Sequence, residues 1–125
     1  LVTWDESLVA KVEAALEKQL ATLSTAAVAR ESILRHGVAV VCANEAEALC
    51  VADQLAPEHL ELHVKHADAL KLKLKNYGGL FVGELAAEVF GDYGIGPNHV
   101  LPTGGTAKFS GGLSVHSFLR IRTWM

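Results

Sequence analysis

Val38-Ala39-Val40-Val41-Cys42, then Asn44 with the stretch 45–55, then Leu60-Glu61-Leu62-His63-Val64: this run of the chain decides the fold. Its first part is continuously apolar and rich in β-branched residues, the pattern of a strand covered on both faces in a parallel sheet. Asn44 has a side chain suited to capping a helix over 45–55, and Pro57 follows its end closely. The last part alternates Leu60, Leu62 and Val64 with Glu61 and His63, which predicts a strand with one polar face. Strand, helix and strand in this order form one unit of a parallel α/β layer.

Toward the N-terminus, Leu1 and Val2 read as the end of a further strand, and the chain as an internal piece of a larger protein. Thr3 and Glu6 have the spacing of a capping box. Leu8 or Val9, Val12, Leu16, Leu20 and Leu23 then recur every three or four positions, predicting an amphipathic helix with one buried face. A second helix is predicted over 25–35 and stops at Gly37, placed where a left-handed helix terminus favours a residue without Cβ.

Toward the C-terminus, Leu70, Leu72 and Leu74 alternate with Lys71, Lys73 and Lys75, yet Leu70 and Leu74 also form a helical i, i+4 pair. Because a crossover has to precede the next strand, residues 66–76 are read as a helix. That strand is 79–83, built on Leu80, Phe81 and Val82. Beyond it periodicity fades, and glycines from Gly91 to Gly112 punctuate the chain. The expected fold is α/β: a three-layer, Rossmann-like partial domain with a mostly parallel sheet over 1–83, followed by an irregular Gly-rich segment over 84–125. That segment carries an active-site loop of the same domain.

Composition narrows the function classes. A chain of 125 residues is long enough for one core, and with 50% hydrophobic and 20% charged residues it is not a disordered composition. The formal charge of −3 supplies no basic field for a phosphate backbone, so nucleic acid is not an expected partner. The purest apolar run, 38–43, is far shorter than the roughly 20 residues that span a bilayer, so no membrane is expected. Cys42 and Cys50 lie in apolar stretches and read as buried thiols of a reducing compartment. With no basic-then-apolar leader, the expectation is a cytoplasmic protein, or an organellar one if a targeting segment was removed.

Imidazole serves as base and as metal ligand near neutral pH, so the six histidines are the first candidates for chemistry. Glu58 and His59 stand side by side in Ala56-Pro57-Glu58-His59-Leu60, a carboxylate and an imidazole where a strand begins. On spacing alone a solvated carboxylate and a backbone-bonded histidine are the commoner reading of such a pair. In Gly91-Asp92-Tyr93-Gly94-Ile95-Gly96-Pro97-Asn98-His99-Val100-Leu101-Pro102-Thr103, glycines permit unusual backbone angles and prolines stiffen a polar loop able to cradle a small ligand. The same Asp and Asn would equally bond their own backbone. His59, Glu61 and His63 share a strand face, a metal-like pattern that ordinary alternation also produces. His66 and His116 have no acidic neighbour suggesting more than exposed or capping roles. The stretch 104–112 lacks the Gly-Lys-Ser/Thr ending of a phosphate loop, and Gly94-Ile95-Gly96 lacks the third glycine of a dinucleotide fingerprint.

Taken together, Ala56-Pro57-Glu58-His59-Leu60, Leu80-Phe81-Val82-Gly83, Gly91-Asp92-Tyr93 and Gly96-Pro97-Asn98-His99-Val100-Leu101-Pro102-Thr103 closely resemble histidinol dehydrogenase. The separations of 34 positions from Glu58 to Asp92 and 7 from Asp92 to His99 reinforce the likeness, which covers essentially the whole chain. The resemblance implies a zinc enzyme that oxidises histidinol to histidine in two NAD-dependent steps. It implies His59 as the general base, Glu58 as the carboxylate that activates water, Asp92 as a zinc ligand near the substrate and His99 as a substrate contact. No NAD-binding residue is assigned. The family's other zinc ligands, a Gln and a His upstream and a His of a partner subunit, are absent from these 125 residues. The ending from His116 to Met125 departs from the family pattern. The chain alone is therefore expected to hold neither zinc nor NAD tightly, while the complete enzyme is expected to be a homodimer. Two rivals are a dehydrogenase of another small alcohol and a truncated, non-catalytic module that pairs with itself.

Overall fold

The computed structural model describes residues 1–93 and 99–125, and the chain divides into two compact units, 1–51 and 52–125. Part of the polar loop read from the sequence, residues 94–98, lies outside the described residues.

In the first unit, strand β1 (Val2–Thr3) leads into helix α1 (Glu6–Leu20), helix α2 (Ala26–His36) and strand β2 (Val40–Val41). The strands are parallel, with Val2 opposite Val40 and Thr3 opposite Val41. The cap of α1 is Asp5, not Thr3. The Asp5 carboxylate accepts from the Ser7 N–H at 3.0 Å and from the Ser7 hydroxyl at 2.7 Å, while Thr3 Oγ1 accepts the Asp5 N–H at 3.0 Å. The buried Thr3 thus shapes the turn, and the charged side chain two residues on reaches the orphan amides of the first helical turn. Helices α1 and α2 are tied by a two-pronged ion pair, with both terminal nitrogens of Arg30 at 2.8 Å from the Glu17 oxygens.

Gly37 does stop α2, for a different reason from the one expected. Its backbone is extended, with φ −67° and ψ 131°, so no left-handed geometry is involved. A Cβ at this position would stand 2.4 Å from the Ile33 carbonyl oxygen, so close approach to the helix end is what requires glycine. The expected full coverage of 38–42 is corrected as well. Cys42 is buried, but Val38 is 67% and Val41 49% exposed, and only Val40–Val41 pair as a strand. Continuous apolarity here marks a strand with one face bare among the described residues.

The hydrogen bonds around Asp5 hold its carboxyl below the ordinary carboxylate range, the Ser7 hydroxyl contributing most. A depressed folded pKa gives stability present above the unfolded value of about 4 and lost as pH falls through the folded one. The helical signal of the chain should therefore decline on acidification below about pH 4, and Asp5→Ala should flatten that decline. Identical acid titrations by circular dichroism for both proteins would remove Asp5 from the account.

Helix α3 (Glu45–Leu55) crosses the division between the units. Its start matches the sequence reading, with the Glu47 N–H donating to Asn44 Oδ1 at 3.0 Å and the Glu47 carboxylate accepting in return from the Ala43 N–H. At its other end Ala56, fully buried, takes φ +45°. A left-handed residue other than glycine costs on the order of 1 kcal/mol. It turns the chain sharply out of the helix, and the fixed φ of Pro57 then sets the direction in which Glu58 and His59 leave the turn.

In the second unit, strand β3 (His59–Leu62) runs parallel to strand β4 (Gly79–Val82), in the register His59 to Gly79, Leu60 to Leu80, Glu61 to Phe81 and Leu62 to Val82. The predicted alternation is present, with Leu62 buried and His59 and Glu61 exposed. The crossover between them contains helix α4 (Ala67–Leu70), one turn where a longer helix over 66–76 was expected. The helical pairing is nevertheless the one used. Leu70 and Leu74 are buried, whereas Leu72 is 81% exposed, so the competing period of two is accidental. Leu72→Ala should accordingly shift stability by less than about 0.5 kcal/mol, a small change readable in the urea midpoint. The Asp53 carboxylate fastens the crossover by accepting from the N–H groups of Lys75 and Asn76 at 2.8 and 3.0 Å.

After β4, Gly83 at φ +89° leads to short 3-10 turns at Glu88–Gly91, Thr106–Lys108 and Val115–Phe118. Large apolar side chains near the end, including Phe118, Ile121 and Trp124, are exposed. The described residues therefore form an α/β chain with two short parallel sheets. No described helix is long and apolar enough to cross a membrane.

Candidate functional site

The site is built where β3 and β4 begin. Backbone hydrogen bonds lock the Pro57-Glu58 segment against the first residues of β4: the Gly78 N–H donates to the Pro57 carbonyl at 2.9 Å, and the Gly79 N–H to the Glu58 carbonyl at 2.7 Å. The two chains approach so closely that a Cβ on Gly78 would lie 2.5 Å from the Glu58 carbonyl oxygen. Glycine is therefore required to bring Glu58 and His59 to the edge of the cleft.

That cleft is a cavity of about 380 Å³, walled by 78–82 and by Ala86, Ala87, Phe90 and Leu101. Its polar side chains among the described residues are His59, Asp92 and His99. Of the four site residues read from the sequence, the structure thus gathers three in one cavity although 40 positions separate the first from the last. Glu58 is partly buried and does not line the cavity wall. Asp92 and His99 also flank a second, more open concavity together with Tyr93.

The His59 imidazole is about one third exposed and has two side-chain neighbours. The Phe81 ring lies 5.9 Å from it, centroid to centroid, tilted by 33°. Phe81 itself occupies a slot between two glycines, since a Cβ on Gly79 or Gly91 would come within 3.4 or 3.3 Å of its ring carbons. Glu88 Oε1 is 3.6 Å from His59 Nε2. Sequence reasoning missed Glu88, which lies far from His59 along the chain in a segment without periodicity.

The metal-like face of β3 resolves differently. His63 Nε2 is 3.5 Å from Glu61 Oε2, and among the described residues no group of three His, Cys, Asp or Glu side chains is placed to hold a metal ion. His66 and His116 are exposed, and the His66 side chain does not cap α4. Both cysteines are thiols, but only Cys42 is buried as expected, while Cys50 is exposed; burial pushes the Cys42 thiol pKa up, which suits a packing role over a nucleophilic one. Gly105 is left-handed at φ +81° ahead of a single 3-10 turn, so the 104–112 stretch presents no long helix start to an anion.

A histidine at a strand start that lines an apolar cavity together with a carboxylate and a second histidine can exchange a proton with a small bound molecule. Comparison with known proteins assigns the lineage: residues 1–125 match the histidinol dehydrogenase family from end to end. The chain belongs to that family. The histidinol dehydrogenase of Rhodopirellula baltica is 43% identical over 121 residues, covering 96% of this chain and 26% of that protein. That of Zymomonas mobilis is 44% identical over 125 residues, covering all of this chain and 29% of that protein. A crystal structure of histidinol dehydrogenase from Elizabethkingia anophelis superposes with a TM-score of 0.86 at 31% identity, over 94% of this chain and 27% of that one. The chain thus spans between a quarter and a third of the length of these histidinol dehydrogenases.

Proposed function

We propose that this chain carries part of the active site of a zinc-dependent histidinol dehydrogenase, which oxidises L-histidinol to L-histidine with two NAD in histidine biosynthesis. The observation that carries the reading is the meeting of His59, Asp92 and His99 in one cavity of unit 52–125. The cavity is of a size to take a small amino alcohol, and its wall is mostly apolar. His59 takes the proton of the alcohol as general base, and Glu58 activates the water needed for the second oxidation. His99 and Asp92 hold the polar ends of the substrate. The two parallel sheets are read as portions of a Rossmann-like, three-layer domain that the rest of a homodimeric enzyme completes.

Zinc is assigned to the complete enzyme. Asp92, the zinc ligand that the resemblance implies, offers a single carboxylate, short of the roughly four ligands zinc takes, so the described residues do not by themselves fit a resident ion. Neither proton transfer is routed through it. The isolated chain should bind zinc weakly, and stoichiometric, chelator-resistant zinc in purified chain would contradict this. NAD is likewise assigned to the complete enzyme, with its binding residues open.

Substrate identity is tested by offering histidinol and other small alcohols in competition to a longer protein that contains this chain at the length of its relatives. Preference for histidinol is expected, and preference for another alcohol would replace it. A second reading, a self-associating module without chemistry, is favoured by the exposed Phe118, Ile121 and Trp124. It requires a mass by light scattering that rises with concentration and no histidinol oxidation in the longer protein.

A further inference from the structure

The geometry points to Glu88 as a positioning residue for His59, fixing the orientation and tautomer of an imidazole that also packs near the Phe81 ring. This rests on the reading of His59 as the base.

An imidazole can accept a proton only through the nitrogen that carries no hydrogen, and which nitrogen that is depends on what the other one bonds. A general base is effective when a third group holds its ring in one rotation. His59 is fixed to β3 by its backbone, but a strand start alone leaves the ring free to turn about its side-chain bonds. Two contacts restrict it. The Phe81 ring, tilted by 33° at 5.9 Å, limits the plane in which the imidazole lies. Glu88 Oε1 stands 3.6 Å from Nε2, a separation that closes to a hydrogen bond with a small movement of a partly exposed side chain. With the Nε2 hydrogen directed to Glu88, the lone pair is on Nδ1, which accepts the substrate proton. The imidazolium then formed keeps Glu88 as its counter-charge until the proton leaves.

The support is itself ordered. Glu88 opens the 3-10 turn Glu88–Gly91, which leads directly to Asp92. The same turn brings Gly91 against Phe81, where a Cβ would come within 3.3 Å of the ring. One short turn therefore carries the carboxylate that faces His59, closes the slot of the ring packed on His59, and delivers Asp92 to the cavity. Its glutamate faces the imidazole directly, and its glycine acts on it through the Phe81 ring.

The test uses a longer protein of the length of the relatives, with His59→Asn, Glu88→Gln, Glu88→Asp and the double variant His59→Asn/Glu88→Gln. Glu88→Gln is expected to lower kcat about tenfold, less than the roughly 10²–10⁴-fold loss on removing the base, with the KM for the alcohol nearly unchanged. Glu88→Asp, which keeps a carboxylate, should recover part of that loss. In the His59→Asn background, Glu88→Gln should add nothing, because Glu88 acts only through the imidazole. On the 125-residue chain, ¹⁵N resonances of the His59 ring should shift toward those of an unconstrained imidazole in Glu88→Gln. A wild-type kcat in Glu88→Gln with unmoved ring resonances, while His59→Asn is inactive, overturns the role of Glu88 and leaves the base intact. Full activity in His59→Asn overturns the reading of the base and this inference with it.

Discussion

Replacing His59 by Asn in a full-length protein containing this chain is expected to reduce kcat for histidinol oxidation by roughly 10²–10⁴-fold. Substrate binding should suffer far less. Asn keeps a polar side chain of similar reach at the start of β3 but has no nitrogen basic enough to take a proton from an alcohol. Most of the cavity wall comes from 78–82, Ala86, Ala87, Phe90 and Leu101, so the site should largely keep its shape for substrate. A proton acceptor lost from an otherwise intact site lowers kcat and kcat/KM together, while a lost binding contact raises KM. Steady-state kinetics of the variant decide the matter. An increase in KM at unchanged kcat would make His59 a substrate contact, and the proton would need another acceptor.

Gly78→Ala is expected to act on the same site through the backbone. The added Cβ would stand 2.5 Å from the Glu58 carbonyl oxygen and 3.2 Å from the Glu58 Cα. No flexible side chain is available to yield, so one of two main chains has to move. The hydrogen bonds from Gly78 to Pro57 and from Gly79 to Glu58 tie those chains together, and Ala56 is fully buried just upstream at φ +45°. Relief is therefore expected at the start of β3, which carries Glu58 and His59. Overpacking of this kind typically costs about 1–3 kcal/mol, visible as a lower urea midpoint for the chain, and kcat of the longer protein should fall with it because His59, the proposed base, is displaced. A variant as stable and active as the parent would show that the two strands separate without moving His59.

Much of this was legible in the sequence because it is local. Asn44 and Glu47 cap α3 through contacts within four residues, and the alternation of Leu60 and Leu62 with Glu61 comes from the strand period alone. Glu58, His59, Asp92 and His99 stood out as chemical groups, and their motif spacing carried the resemblance to histidinol dehydrogenases. The features that were not legible depend on approach in space. Thr3 and Asp5 both had the chemistry of a cap, and only the burial of Thr3 in the turn decides between them. Gly37 reads as a left-handed terminus in any pattern of this kind, whereas here the Ile33 carbonyl leaves no room for a Cβ. Leu70, Leu72 and Leu74 obeyed two periods at once, and packing chose one. Glu88 had no signal at all, because a 3-10 turn in an aperiodic segment gives no pattern from which to project its side chain toward His59.

The central claim is that this chain holds a part of a dehydrogenase site and not the whole of it. The most direct measurement is histidinol-dependent reduction of NAD, with zinc added, by the 125-residue chain beside a longer protein of the length of its relatives. Activity in the longer protein and none in the chain is the predicted result. Turnover by the chain alone would contradict it, since a complete site would then have to form from residues other than Glu58, His59, Asp92 and His99.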